Sequence, residues 1–202
     1  RLWTAEKGSV ETNVCTLQNG TLTGRPVQRP HPPIWFAANN DAAVRRAARL
    51  GDTWFVNPHA TMASITRQMG LYREELARLG KPLPRVRPLI KEIYCAKDRR
   101  TALELAGPYL GAKYRAYASW GQDAVLPDGD TFQQPFDALL RDRFVLGSPE
   151  ECYEQLRPCW EAVGANFLFF RTHWLGMPLA HALASMRLMS DELLPALRKA
   201  RG

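Results

Sequence analysis

The sequence predicts an α/β protein in which parallel strands alternate with helices, and two observations indicate this class. Four short apolar runs are separated by segments in which apolar residues recur at helical spacing. Continuous apolar runs are typical of strands buried on both faces, and parallel neighbours need a helical crossover between them. The predicted strands are Ile34–Ala38, Thr53–Val56, Val86–Cys95 and Asn166–Phe170.

The first strand–helix unit follows a polar, turn-rich N-terminal segment. Residues 25–33 contain four prolines, which excludes a regular helix or a central strand there. After the strand Ile34–Ala38, the stretch Asn40–Leu50 places alanines and arginines at helical spacing, and Gly51 suits the end of a helix. The strand Thr53–Val56 then begins the second unit.

The middle of the chain is less regular. Helices are predicted from about Ala60 to Leu79 and from Arg99 to about Trp120. Between them, the strand Val86–Cys95 has an irregular pattern because Pro88 interrupts it. Residues 121–146 lack clear periodicity and contain the turn sequence PDGD, so we expect an insertion or loop there.

The C-terminal part opens with a strong helix start. Ser148 suits the N-cap, Pro149 suits the first helical position, and Glu151 completes a capping box with Ser148. The strand Asn166–Phe170 and a last helix from Pro178 to about Leu194 follow. Four such units fit either a small doubly wound sheet or half of a (β/α)8 barrel.

The composition restricts the classes of partner. The 202 residues carry a net charge of +7, but the basic clusters are short and far apart. A basic stripe with interleaved aromatic residues would indicate nucleic acid, so we expect no nucleic-acid partner, although a basic nucleic-acid-binding domain stays open as an alternative. The excess of positive charge is also compatible with an anionic ligand.

The cysteines, histidines and apolar stretches predict where the protein resides. The four cysteines form no CxxC pair and the four histidines show no metal-ligand spacing, so we expect free thiols and no metal site. The sequence shows no apolar stretch long enough to span a membrane and no signal peptide. We therefore expect a cytoplasmic protein without a membrane partner.

Four stretches, in this order and spacing, resemble one known family. They are RPVQRPHPPIWFAANNDAAVRRAARLGD, GSPEECYEQL, FFRTHWLGMP and ASMRLMSDELLPAL. They are similar to the C-terminal half of the bacterial luciferase-like flavin- or deazaflavin (F420)-dependent oxidoreductases, which are (β/α)8 TIM barrels. The resemblance implies that residues 1–202 are one domain that supplies strands 5–8 of such a barrel. The family's first four strands have no counterpart, which favours a fragment over a short natural protein.

The pair Asn39-Asn40 stands where the first strand ends and its helix begins. One interpretation is a helix N-cap, and the other is a phosphate site made by the free N–H groups and the positive end of the helix dipole. In the family, the turn at this position contacts the phosphate of the flavin. Members often carry a Ser or Thr where this chain has Ala43, so one side-chain donor is missing. The expected cofactor-binding residues are Ala38, Asn39, Asn40, Asp41 and Ala43.

The remaining strand ends carry further candidates. Arg171 and His173 share one short loop after the fourth strand and are the expected catalytic residues, although a lone histidine is more often structural. His59, Glu92 and Trp174 also follow strands or close them. Each has a structural alternative: a helix cap, an ion pair with Lys91 or an arginine, and a packing residue, respectively.

The resemblance implies an oxidoreductase that acts on a small-molecule substrate. With FMN, the reduced flavin and O₂ would oxidise an organic substrate in a water-poor pocket; with coenzyme F420, the reaction would be a hydride transfer. The full-length protein is then expected to be a homodimer. A shortened relative that binds flavin without turnover stays open as the alternative.

Overall fold

The computed structural model describes residues 2–200, which divide into two compact units with the boundary between Ile34 and Trp35. The smaller unit contains an antiparallel hairpin of β1 (Gly8–Glu11) and β2 (Thr16–Gly20). Its turn is closed by Thr12, whose side-chain oxygen accepts a hydrogen bond from the N–H of Cys15 at 2.9 Å. The sequence predicted only a turn-rich segment here, because these strands are short and largely exposed.

The larger unit alternates strands and helices. Its strands are β3 (Trp35–Ala38), β4 (Thr53–Val56), β5 (Pro88–Cys95), β6 (Phe144–Gly147) and β7 (Phe167–Arg171). Its helices are α1 (Asp41–Leu50), α2 (Met62–Arg78), α3 (Arg99–Ser119), α4 (Phe136–Arg143), α5 (Pro149–Val163), α6 (Leu179–Leu188) and α7 (Leu194–Lys199), with a 3₁₀ turn at Gln122–Val125 and a π turn at Met189–Leu193.

The strands of this unit form one parallel sheet. β3 pairs with β4, β4 with β5, and β5 with β7, so the four predicted strands are parallel neighbours in sequence order. β6 is a fifth strand that also pairs with β5 in parallel. The predicted α/β class with a parallel sheet is confirmed.

Pro88 begins β5 instead of interrupting it. A proline has no N–H to donate to the ladder, and the first residue of a strand is a position where that loss is tolerated. Asn166 fixes the chain just before this point, because its side-chain oxygen accepts the N–H of Arg87 and its amide donates to the carbonyl of Arg85, both at 2.7 Å. The fourth predicted strand correspondingly runs from Phe167 to Arg171.

Residues 121–146, where we expected an insertion or loop, contain the 3₁₀ turn, α4 and the first part of β6. Isolated apolar side chains anchor this segment: the ring of Phe132 lies 5.1 Å from that of Tyr114 on α3, and Phe144 lies 5.0 Å from the same ring. The buried Arg143 donates from Nε to the carbonyl of His59 at 2.8 Å. Single contacts of this kind leave no periodic pattern in the sequence, which is why the elements were not foreseen.

The helix boundaries follow the expected capping chemistry. At the start of α5, the side-chain oxygen of Ser148 accepts the N–H of Glu151, and the carboxylate of Glu151 accepts the N–H of Ser148, so the predicted capping box is confirmed. On α1, the buried face consists of Ala43, Val44, Ala47 and Ala48. These small side chains let α1 lie close to the sheet.

The sheet is strongly curved. In a flat sheet, strands three places apart are separated by about 14 Å. Yet the ring centroid of Trp35 on β3 lies 5.7 Å from both Phe167 and Phe169 on β7. Phe55 on β4 joins the group at 5.2 Å from Phe169. Side chains from the first and last of the four strands therefore meet on one concave, aromatic face.

This aromatic face is partly open to solvent. Trp35 is 37% exposed and Phe167 is 45% exposed, although both are large apolar side chains. In the part of the chain that the structure describes, no helix combines the length and hydrophobicity needed to cross a lipid bilayer.

We expect the chain expressed alone to self-associate or to lose fixed packing, because part of its aromatic face is exposed and, within residues 2–200, β3 and β7 each have one unpaired edge. Sedimentation velocity should show association at micromolar concentration, and Phe167→Ser should reduce it. Leu50→Ser removes a side chain of 63% exposure at the end of α1 and should have no such effect. A monomer that melts in one cooperative transition would contradict this expectation.

Candidate functional site

The turn between β3 and α1 uses both asparagines structurally. Asn40 has an extended backbone, and its Oδ1 accepts the N–H of Ala43 at 2.9 Å, so it is the N-cap of α1. Oδ1 of Asn39 accepts a hydrogen bond from Nδ2 of Asn57 at 2.8 Å, which ties the end of β3 to the end of β4. The N-cap interpretation of this pair is therefore confirmed.

Two residues of α2 complete the turn. The carboxylate of Asp41 receives a two-pronged bond from Arg67 at 2.7 and 2.8 Å. Nε2 of Gln68 donates to the carbonyl of Asn39 at 2.7 Å and to Asp41 at 3.0 Å. The bond from Arg67 holds the pKa of Asp41 below its ordinary value, and the ion pair offsets the negative charge in the first turn of α1. Arg67 and Gln68 could not be predicted from the sequence, because the contact joins two helices.

Part of the N-terminus of α1 stays open to a ligand. The first helical bond runs from the N–H of Val44 to the carbonyl of Asn40 at 2.9 Å, and the N–H of Ala43 is taken by the cap. The N–H groups of Asp41 and Ala42 precede any acceptor within the helix. Of the donors from Asn40 to Ala43, the N–H of Ala43 is therefore already used within the protein.

A buried carboxylate within β5 binds side chains from the end of β7, from the loop after it and from α3. Glu92 is fully buried, and its Oε1 accepts hydrogen bonds from Nζ of Lys113 on α3 and from Nη1 of Arg171 at 3.3 Å. Its Oε2 accepts the indole N–H of Trp174 at 3.1 Å. Lys91 donates instead to the carbonyl of Asp142, so the expected ion pair of Glu92 with Lys91 or an arginine is formed with an arginine, Arg171. Trp174 is both buried and hydrogen-bonded.

A cavity of about 380 Å³ lies beside this carboxylate. Its lining includes three basic side chains, Lys113, Arg171 and His173. Nε2 of His173 lies 3.0 Å from the carbonyl oxygen of Met177, which can only accept, so Nε2 is the donor of this hydrogen bond, and in a neutral ring Nδ1 is then the acceptor. The aromatic part of the lining consists of Tyr109, Tyr117, Trp120 and Trp174.

His59 is a partly buried residue in the segment between β4 and α2. It follows β4, and its ring lies 5.5 Å from Tyr117 and 6.4 Å from Tyr114. Burial, followed by the positive charges of Lys113, Arg171 and Arg143, lowers the pKa of His59 to about 4. Its Nε2 is buried and has no hydrogen-bond partner among residues 2–200. Thr61, and not His59, caps α2.

The structure places all predicted site residues along the carboxyl edge of the parallel sheet, where ligands of such folds bind. Arg171 and His173 line the same cavity. The stretch from Ala38 to Ala43 lies at the end of β3, linked to β4 through Asn57. Lys113 was missed because it lies within a long helix. Within residues 2–200, no group of three His, Cys, Asp or Glu side chains could hold a metal ion.

Solved structures share this fold. A monooxygenase from Streptomyces bottropensis has a TM-score of 0.77 at 24% identity, covering 98% of this chain and 58% of that one. The oxygenating constituent of 3,6-diketocamphane monooxygenase from Pseudomonas putida, solved with FMN, has a TM-score of 0.67 at 18% identity over 96% and 59% of the two chains. An F420-dependent secondary alcohol dehydrogenase has a TM-score of 0.63 at 15% identity over 84% and 51%.

Sequence comparison identifies the family. The oxygenase component of flavin-dependent trigonelline monooxygenase from Acinetobacter baylyi is 25% identical over 190 residues, or 87% of this chain and 51% of that protein. The chain thus spans about half the length of the curated relatives it matches. The family described as luciferase-like monooxygenase matches residues 1–166. This chain belongs to the luciferase-like monooxygenase family.

Proposed function

We propose that the chain forms strands 5–8 of a (β/α)8 barrel, and that the complete protein is an FMN- or F420-dependent oxidoreductase acting on a small organic molecule. The observation that carries this proposal is the arrangement of the carboxyl edge. The open end of α1 and the basic cavity beside Glu92 both lie there, above a curved aromatic sheet face.

The sheet itself supports the half-barrel proposal. Within residues 2–200, β3 pairs only with β4 and β7 pairs only with β5, so each end strand offers one free edge. The concave face is aromatic and half covered, as the interior of an incomplete barrel would be. In this proposal, residues 1–202 are one domain of the complete protein, and residues 121–146 are an insertion that carries α4.

The turn after β3 fits the phosphate that FMN and F420 share. Two N–H groups and the positive end of the α1 dipole converge there, and Arg67 offsets the charge of Asp41. The orphaned Nε2 of His59 on the same edge also fits a bound polar group. We therefore propose Ala38, Asn39, Asn40, Asp41 and Ala43 as the cofactor-binding turn. Bound FMN would supply the reaction of reduced flavin with O₂, and F420 would supply hydride transfer.

Arg171 and His173 are the proposed catalytic residues. The bond to Glu92 fixes the guanidinium of Arg171 at the cavity wall, where its other N–H groups can orient a substrate. His173 holds a proton on Nε2 against Met177, so its Nδ1 is available to accept a proton from a bound substrate.

The thiols support a cytoplasmic location. Cys95 and Cys152 are buried with their sulfur atoms 3.5 Å apart, and both are free thiols. Unpaired thiols in such proximity are typical of a reducing compartment.

Substitutions in the α1 turn test the phosphate site. Asn40→Ala should weaken binding of FMN or F420 by about 1–2 kcal/mol, because one cap is lost while the backbone donors remain. Asn40→Asp should weaken it more, because it sets a negative charge against the phosphate. Ala43→Ser should leave binding unchanged or tighten it. The measurement is fluorescence quenching on titration of the complete apoprotein.

Riboflavin, which lacks the phosphate, is the matched ligand for this test. Its binding should respond little to Asn40→Asp. If Asn40→Asp binds FMN and F420 as tightly as the parent, the phosphate lies elsewhere and the pair is only a turn.

His173→Asn tests the proposed proton acceptor. The variant should lower kcat by about 100-fold or more, the usual range for a lost general base, and leave the Kd of the cofactor unchanged. Thr172→Ala in the same loop should keep kcat within a few-fold. Equal kcat values for His173→Asn and the parent, measured as substrate oxidation at saturating reduced cofactor, would remove His173 from the mechanism.

A further inference from the structure

We propose that the cavity beside Glu92 binds a small aromatic carboxylate as substrate, with Arg171 and Lys113 holding its carboxylate group. The inference rests on the proposed function, since it names the class of substrate for the same site. It depends on three features of the cavity: its charge, its lining and the way its basic side chains are fixed.

The charge of the cavity is unbalanced. The single carboxylate of Glu92 faces two cations, Lys113 and Arg171, which leaves one positive charge over. The nearby Arg143 faces its own carboxylate, that of Asp130 at 3.7 Å, and does not change this balance. The two cations remain partly accessible, with side chains 13% and 38% exposed, so a negative ligand group can reach both of them and would be bound favourably.

The excess positive charge contributes to the lowered pKa values of two side chains, His59 and Lys113. The positive charges of Lys113 and Arg171 both contribute to the lowered pKa of His59, after burial. Burial also lowers the pKa of Lys113, and the charge of Arg171 acts in the same direction, while Glu92 opposes both effects. A carboxylate bound between the two cations would relieve this repulsion.

The lining suits a flat ring. Four aromatic side chains surround the space, and about 380 Å³ lies within the usual range for small-molecule sites. Nζ of Lys113 stands 5.0 Å from the ring centroid of Tyr117, so the cation and the aromatic surface are adjacent. A ring between the aromatic side chains would therefore bring a carboxylate substituent to Lys113.

Glu92 positions Arg171 but engages only part of its hydrogen-bonding capacity. Only its Nη1 contacts Glu92, at 3.3 Å, and the side chain is 38% exposed. A guanidinium has five N–H donors in a planar fork that matches a carboxylate. Glu92 is accordingly a positioning residue: it fixes one prong of Arg171 and leaves the others for the ligand.

Two probes of nearly the same size and shape, one anionic and one neutral, test the proposal. Benzoate and benzamide have the same shape, and quenching of Trp120 and Trp174 fluorescence reports binding of either to the complete protein. We expect benzoate to bind at least ten-fold more tightly than benzamide. Arg171→Gln and Lys113→Gln should each abolish most of that preference while benzamide binding persists, which also shows that the variants fold.

Arg115→Gln is the matched control. It removes the same charge from an exposed position on α3, two residues from Lys113, and should keep the preference for benzoate. The preference should also survive Asn40→Asp, which affects only the phosphate turn. If the parent protein binds neither FMN nor F420 but still prefers benzoate, the proposed cofactor is wrong and the proposed carboxylate site is retained.

Two results would overturn the inference. Equal binding of benzoate and benzamide by the parent protein would show that the two cations are fully committed to Glu92. Competition between FMN and benzoate would show that the cations serve the negatively charged part of the cofactor and not a substrate. Simultaneous binding of FMN and benzoate is the expected result.

Discussion

The carboxyl edge of the sheet depends on one fully buried carboxylate, that of Glu92. Removing such a group from water costs several kcal/mol, and only charge-assisted hydrogen bonds in good geometry offset that cost. Here the donors come from three places, Lys113 on α3, Arg171 on β7 and Trp174 in the following loop. The requirement to satisfy this carboxylate therefore joins the central strand, its neighbour and a helix at one point, and the cavity is formed beside it.

The two ends of the edge are tied together by similar means. A hydrogen bond between Asn39 and Asn57 joins the ends of β3 and β4. Two residues after Asn57, the ring of His59 contacts Tyr114 and Tyr117 on α3. Below this polar layer, the contacts of Trp35 with the last strand show that the sheet is curved. The curvature brings side chains of the first and last of these strands into contact, although they are far apart in sequence.

The sequence was informative where the signal was local. Strand–helix order, the capping box at Ser148 and the cap at Asn40 all depend on neighbouring residues, and the structure confirms them. The partners of the charged groups depend on tertiary geometry. Nothing around Lys113 distinguishes it from a solvated helix residue, and Arg67 reaches Asp41 across two helices. Elements anchored by single aromatic contacts, such as α4, were missed for the same reason.

The resemblance to the family implies a hydroxyl residue at the position of Ala43, and its absence fits a different distribution of binding energy along the edge. Asn40 already occupies the N–H of Ala43, so the helix end offers a ligand two backbone donors and a dipole. The cavity at the other end has an arginine bonded to Glu92, a half-buried lysine and one positive charge more than the carboxylate of Glu92 balances. Backbone donors bind without distinguishing the remainder of a molecule, whereas a walled cavity with fixed cations selects by shape and charge. Cofactor retention and substrate choice would then depend on separate strand ends, and either could change without disturbing the carboxylate that fixes the geometry between them.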